Sequence, residues 1–375
     1  MTIGIDMVGT NLPSGTKTYN LNFCRYLNEL VLKEKTYIFL SQSYTKEITT
    51  VTNSKIQYII KSDLISNIFL RFIWMQFFLP FELKRLKIDK FFSPMNFGPL
   101  FLKFFNIKFI LALHTNLPWV YFNKMPGNLF RNYLTKLIMK MSINACDNLI
   151  VASNYAKEEI VKQLNLDISK VTSIYLGIDT KYFIENKYKK NLDNLDYSNY
   201  ILSVLSCVKY HNIINLLKAF KILKKEIISD LKFVLVLQIL DKNYFKEIQN
   251  YVKNNFKKDE IIFLHNLEHN HVFNLYQKAK FFIFSSYCEV FGFTSLEAMS
   301  QNCPVLISNR SALPEINSDA ADYFNPDDVE ETGVLMKKLI SDSQYKKILI
   351  EKGNLRFKKF NWSQTVKETL KILEN

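Results

Sequence analysis

The chain has 375 residues, 48% of them apolar and 22% charged, a globular balance that excludes a disordered or low-complexity protein. The length favours two domains over one. Net charge is +14, and it is uneven: residues 1–178 carry 21 Lys and Arg against 11 Asp and Glu, while residues 179–375 carry 28 against 24. A basic first half attracts nucleic acid, anionic lipid or phosphorylated substrate. No nucleic-acid-binding module or Arg-rich recognition helix is present, so no nucleic-acid partner is expected. The five cysteines, Cys24, Cys146, Cys207, Cys288 and Cys303, have no paired spacing. They argue for a reducing compartment and against a disulfide framework or a zinc site. His265, His269 and His271 cluster without a cysteine or HExxH partner, and no metal is expected.

In chain order, Ile3–Met7 reads as a strand, entered without a basic leader or a long apolar core. Thr18–Lys33 is a helix by the spacing of Tyr19, Phe23, Leu27 and Leu30. Tyr37–Leu40 and Ile56–Ile60 are short strands. The stretch from Leu64 to Phe81 is apolar, but Asn67, Arg71, Gln76 and Pro80 interrupt it too often for a membrane span. Its aromatics, Phe69, Phe72, Trp74, Phe77, Phe78 and Phe81, fit a core helix and loop better than a surface. With Lys84, Arg85 and Lys87 behind them, they also fit a segment lying on an anionic membrane. Phe109–Leu113 is a buried strand ending at His114, Asn128–Met141 a helix, and Asn148–Ala152 a strand. Ser153 caps a helix from Tyr155 to Leu164, and Val171–Tyr175 is the next strand.

The pattern then restarts after a polar segment, Asn186–Asn199. Strands are expected at Tyr200–Leu205, Leu231–Gln238, Ile261–Leu264, Lys280–Ser285 and Pro304–Ile307. Helices are expected at Ile213–Lys225, Tyr244–Phe256, His271–Lys278 and Thr294–Ser300, with Trp362–Leu373 closing the chain. Two successive βα series predict an α/β protein with two Rossmann-like domains, parallel sheets and a ligand cleft.

One stretch concentrates chemistry. Glu289 and Glu297 stand eight residues apart around Gly292, where a strand passes through a turn into a helix. Free N–H groups at such a helix start face an anion. Thr294 with Glu297 also matches a capping box, which is a structural account of Glu297 alone. A rival nucleotide motif, Gly9 to Thr18, has five residues between its glycines and Thr16 between Gly15 and Lys17, so it is not a P-loop.

From about Val171 to Leu373 the chain resembles family 4, or group 1, of the retaining nucleotide-sugar glycosyltransferases, whose fold is GT-B. The carrying residues are Tyr175-Leu-Gly177-Ile-Asp179 to Phe183, Asn274-Leu-Tyr276, the Glu289-x7-Glu297 pair, Ala298-Met299, Pro304-Val305, Ala312-Leu-Pro314-Glu315, Asp319 to Pro326, and Phe360-Asn-Trp362. Gly4-Ile-Asp6, Ser14-Gly15-Thr16, Leu79-Pro80, Phe91 to Asn96 and His114 extend the likeness through the first half. These resemble mannosyltransferases of O-antigen and capsule synthesis.

The resemblance implies an acceptor domain over residues 1–180, a nucleotide-sugar domain over 181–358, and a helix over 359–375 that returns to the first. It implies that Glu289 contacts donor-sugar hydroxyls and Glu297 the ribose. It turns the Val290, Phe291, Gly292 and Phe293 loop toward the diphosphate, sets Gly15 beneath that diphosphate, and puts His114 near the donor sugar. The implied activity is retaining, metal- and cofactor-free transfer of a hexose, with mannose preferred, from a nucleoside-diphosphate sugar to a lipid-linked or growing surface glycan. A cytoplasmic location, peripheral at the inner face of the plasma membrane, goes with it. Leu205 and Ser206 replace the family's usual glycine and arginine, and His211 stands where a lysine is common, with Lys209 two residues away. Lys209 or His211 is left to serve the diphosphate. The alternatives are a scaffold subunit that has lost chemistry, or a GT-B enzyme with a soluble acceptor.

Overall fold

A computed structural model of the chain describes residues 1–9, 15–48, 53–178, 199–226, 230–265, 267 and 269–374. The loop from Thr10 to Ser14, the Asp179 to Phe183 part of the expected turn and the polar segment through residue 198 lie outside the described residues.

The first sheet has the order β3-β2-β1-β4-β5-β6-β7, all parallel, with β1 at Thr2–Met7, β2 at Lys35–Ser41, β3 at Ile56–Lys61, β4 at Lys90–Ser93, β5 at Lys108–Leu113, β6 at Asn148–Val151 and β7 at Val171–Ser173. The second has the order β10-β9-β8-β11-β12-β13, also parallel, with β8 at Tyr200–Cys207, β9 at Lys232–Ile239, β10 at Ile261–His265, β11 at Phe282–Phe284, β12 at Val305–Ser308 and β13 at Asp322–Phe324. Helices cover both faces of such sheets, so central strands read as unbroken apolar runs rather than as alternation. Ile3 and Ile5 of β1, Ile201 and Leu202 of β8, and Ile283 of β11 are all buried.

Most expected elements are present with ends shifted by one to four residues. Short β4 and β13 are not among the expected strands, because three or four residues show no period. Yet β4 is central, pairing with both β1 and β5.

The chain divides into two compact units. Met1–Trp119, Phe130–Gly177 and Asn361–Asn375 form the first, and Val120–Leu129 with Ile178–Phe360 the second. The closing helix Trp362–Glu374 is part of the first unit for visible reasons. Thr365 Oγ1 donates to the Tyr175 carbonyl at 2.7 Å. At Gly177 a Cβ would fall 2.1 Å from the Trp362 nitrogen, so only glycine lets the two backbones meet.

The aromatic stretch before Arg85 corrects the core expectation. Trp74, Met75 and Leu79 are buried, but Phe69, Phe77, Phe78 and Phe81 are 62–71% exposed. The helix Leu129–Ala145 shows a similar face, with Phe130, Tyr133, Leu134, Leu137 and Met141 exposed at helical spacing. The two stretches are tied together by buried polar groups. Gln76 Nε2 donates to the Gly98 carbonyl at 3.3 Å, and the Gly98 N–H donates to Ser142 Oγ at 3.1 Å.

Candidate active site

In the second sheet the strand order reverses between β8 and β11, the switch point where doubly wound sheets bind ligands beyond their strand ends. The loops leaving these two strands carry the candidate residues. After β8, a 3-10 turn at Lys209–His211 ends on Asn212, whose φ of 55° is left-handed. Asn212 Nδ2 donates to the Pro326 carbonyl at 2.6 Å, anchoring the turn. Ser285 Oγ, just past β11, donates to the His211 carbonyl at 2.5 Å and ties the two loops together. The Tyr287 N–H donates to the Tyr210 carbonyl at 2.9 Å as a second tie.

Glu289 is fixed through its backbone. Its N–H donates to Ser311 Oγ at 2.9 Å, and its carbonyl accepts from the Ala312 N–H at 3.2 Å. The side chain, 23% exposed, lies with Oε1 3.2 Å from His211 Nε2. None of the Val290, Phe291 and Gly292 N–H groups donates to a backbone carbonyl outside the helices among the described residues. Phe291 itself is buried, edge-on to Phe293 at 5.2 Å and to Phe360 at 5.4 Å, so its ring pins the loop.

Gly292 answers two demands at once. Its φ is 92°, and a Cβ there would lie 2.6 Å from Leu313 Cδ2. It is also the N-cap of the helix Phe293–Ser300, with no side-chain capping bond. The expected capping box from Thr294 to Glu297 is therefore not formed: the helix starts one residue earlier, which puts Thr294 inside it. Ser295 Oγ instead donates to the Gly292 carbonyl at 2.9 Å. Glu297, one turn in, accepts from the Tyr276 hydroxyl at 3.4 Å. Burial first, and the nearby Glu297 carboxylate second, push the Tyr276 hydroxyl well above its ordinary range, so it stays a donor. Burial and then Glu289 do the same to Tyr210. Lys209 is exposed at the start of its turn.

The structure thus gathers Glu289, the loop Val290 to Phe293, Glu297, Lys209 and His211 at one switch point. Gly15 and His114 belong to the other unit. Gly15 opens the helix Gly15–Glu29, and among the described residues no atom lies within 4 Å of where its Cβ would project. His114 follows β5. Its N–H donates to Asn96 Oδ1 at 2.6 Å, and Nε2 lies 3.1 Å from the Pro94 carbonyl. A carbonyl only accepts, so Nε2 carries the proton and Nδ1 the lone pair. Burial lowers the His114 pKa to about 4, so the ring is neutral and offers an acceptor, not a cation. The His211–Glu289 pair is the feature that pattern reading missed, because its partners lie 78 residues apart. The signal that could have found it was a histidine standing in a position where a lysine is common. No group of three or more metal-capable side chains is gathered among the described residues.

Residues 184–356 match the model of the glycosyl transferases group 1, and residues 13–182 that of Glycosyltransferase Family 4. The O-antigen chain mannosyltransferase RfbU of Salmonella typhimurium is 29% identical over 58% of this chain and 57% of its own length. O-antigen chain mannosyltransferase B of Escherichia coli is 24% identical over 61% of each. The matched region thus spans about three fifths of these two relatives. Among solved structures, the Anabaena protein HepE in complex with UDP and glucose has a TM-score of 0.75 at 12% identity, covering 100% of this chain and 99% of its own. Sucrose-phosphate synthase from Thermosynechococcus elongatus has a TM-score of 0.75 at 16% identity, covering 100% and 98%. With the two parallel-sheet units, these likenesses establish the GT-B fold. The chain belongs to the group 1, family 4 glycosyltransferases.

Proposed function

We propose that the protein is a retaining glycosyltransferase that moves mannose from a nucleoside-diphosphate sugar to a hydroxyl of a lipid-linked surface glycan. The observation that carries this reading is the pair of glutamates flanking the Gly292 turn at the switch point of the second sheet. Glu297 clamps the ribose hydroxyls, since an ionised carboxylate accepting two hydroxyls is a strong, directional contact. Glu289 holds the sugar hydroxyls. The N–H groups from Val290 to Phe293 bind the diphosphate, with the helix start behind them. His114, neutral and partly buried, and Gly15 are assigned to the donor by the family resemblance. Departure of the diphosphate leaves an oxocarbenium-like sugar, and a phosphate oxygen takes the proton of the incoming hydroxyl. These residues do that work with no metal or cofactor.

A mannose donor is favoured because both relatives above are named as mannosyltransferases. A lipid-linked acceptor is favoured by the exposed aromatics of the first unit, set beside Lys84, Arg85, Lys87, Arg131, Lys136 and Lys140. Rings beside a basic rim suit the interface of an anionic membrane. No helix among the described residues is long and apolar enough to cross one. Leu205 and Ser206, in place of the usual glycine and arginine, favour a scaffold without chemistry. Glu289, Gly292 and Glu297, all present and placed together, favour transfer. The test is incubation with GDP-mannose and a polyprenyl-diphosphate-linked oligosaccharide. An α-linked mannosyl product supports the reading. No transfer from any nucleotide sugar, by protein that binds the nucleotide, would sink it.

A further inference from the structure

We propose that His211 supplies the fixed positive charge of this site, as an imidazolium clamped between the Ser206 carbonyl and the Glu289 carboxylate, and that it aims Glu289 at the donor sugar. The inference deepens the transfer reading and rests on it for its kinetic consequences, but the pairing itself stands on geometry.

His211 Nδ1 lies 2.7 Å from the Ser206 carbonyl, and Nε2 lies 3.2 Å from Glu289 Oε1. The carbonyl can only accept, so Nδ1 must carry a proton. In neutral imidazole the other nitrogen is then a bare lone pair. A lone pair facing an ionised carboxylate at this distance is repulsive. One more proton must therefore sit between Nε2 and Oε1. Imidazole is ordinarily the stronger base of the two, so that proton belongs to the ring. The ring is 6% exposed, held edge-on against Phe284 at 5.3 Å and Tyr210 at 4.5 Å, and its backbone carbonyl takes the Ser285 bond. A buried charge is tolerated where its protons are all matched, and both are matched here.

The ring faces few other ionisable groups. Glu289 is the carboxylate, on the loop after β11. Tyr210, on the same turn, stays a neutral hydroxyl under burial. Cys288 lies near Tyr210 on the loop after β11. Lys209 begins the turn, exposed. A lysine in this position would bring its charge on a flexible stem. The histidine brings it on a rigid ring, pinned at one nitrogen, so the carboxylate at the other is held in one place. Such a partner is a positioning residue: it sets where Glu289 points, and a small misplacement of a reacting group costs up to about a hundredfold in rate.

The experiment joins nitrogen-15 NMR of the histidine rings to kinetics. In wild type at neutral pH, both nitrogens of His211, assigned by comparison with His211→Gln, should carry protons, and Glu289→Gln should return the ring to a neutral state. A neutral His211 ring in wild type would overturn the proposal whether or not the protein transfers sugar. In transfer assays, His211→Gln should lower kcat by about ten- to a hundredfold with a smaller change in donor KM. His211→Lys should restore most of kcat. Wild-type kcat in His211→Gln would also overturn it. Absence of transfer in wild type, with the imidazolium present, would strike the transfer reading alone.

Discussion

The two units share one plan, a parallel sheet whose order reverses beside its first strand, yet they differ in what lies around it. In the second, the loops at the reversal carry a carboxylate and an imidazole in hydrogen-bonded turns, and the helix that follows carries a second carboxylate. In the first, the candidate histidine is neutral and wedged against Tyr19 at 4.5 Å. The unit's distinguishing surface is apolar, formed by rings on its helices. The fold therefore fixes where a ligand can approach, and the loops decide whether the site reads charge or shape. On the proposed transfer reading, the nucleoside diphosphate belongs to the second unit and the lipid-linked acceptor to the first.

Glutamate substitutions test the difference most severely. Glu297→Ala should weaken donor affinity by roughly 10- to 100-fold, the loss of a charged clamp on two hydroxyls. Glu289→Ala should instead lower kcat by about a hundredfold, with donor binding far less affected. Both are read by donor titration beside initial rates. If both variants transferred sugar like wild type, the second unit would not be the donor site.

The complementary change is in the first unit. Serine at Phe77, Phe78 and Phe81 together should abolish sedimentation with anionic vesicles while leaving nucleotide binding intact, because these rings are exposed and support little of the core. Equal pelleting of wild type and variant would remove the membrane role from this surface.

A stability effect follows at Gly292. Alanine there must adopt a left-handed φ and sit against Leu313, costing about 1–3 kcal/mol, measurable by urea unfolding. A pH effect of similar size follows in the first unit. The His114 pKa is lowered to about 4 when folded, below the value near 6.5 of a free ring. Between these values the unfolded chain binds the extra proton, so stability is full above about pH 6.5 and is lost as the pH falls toward 4. The loss amounts to about 3 kcal/mol, and His114→Asn should remove that part of the slope.

How much of this could be read from residues alone varies with sequence distance. The alternation of strands and helices was legible, and so was the Glu289 to Glu297 block, because its chemistry is contiguous. Strand β4 was not, since a four-residue central strand has no period of its own. The cap at the Phe293 helix was misread because Gly292, in a left-handed conformation, starts that helix without a side-chain bond. The aromatics before Arg85 were split by the fold, Trp74 inward and Phe77 outward, which hydrophobicity could not foretell. The bond from His211 to Glu289 was invisible because only the adjacency of β8 and β11 brings those loops together.

The most direct test of the central claim is calorimetric titration of GDP, UDP and ADP into wild type and Glu297→Ala. One nucleoside diphosphate should bind the wild type and lose roughly 10- to 100-fold in affinity in the variant. Equal affinity of the two proteins for every nucleotide, or none for any, would contradict the donor site at the switch point of the second sheet.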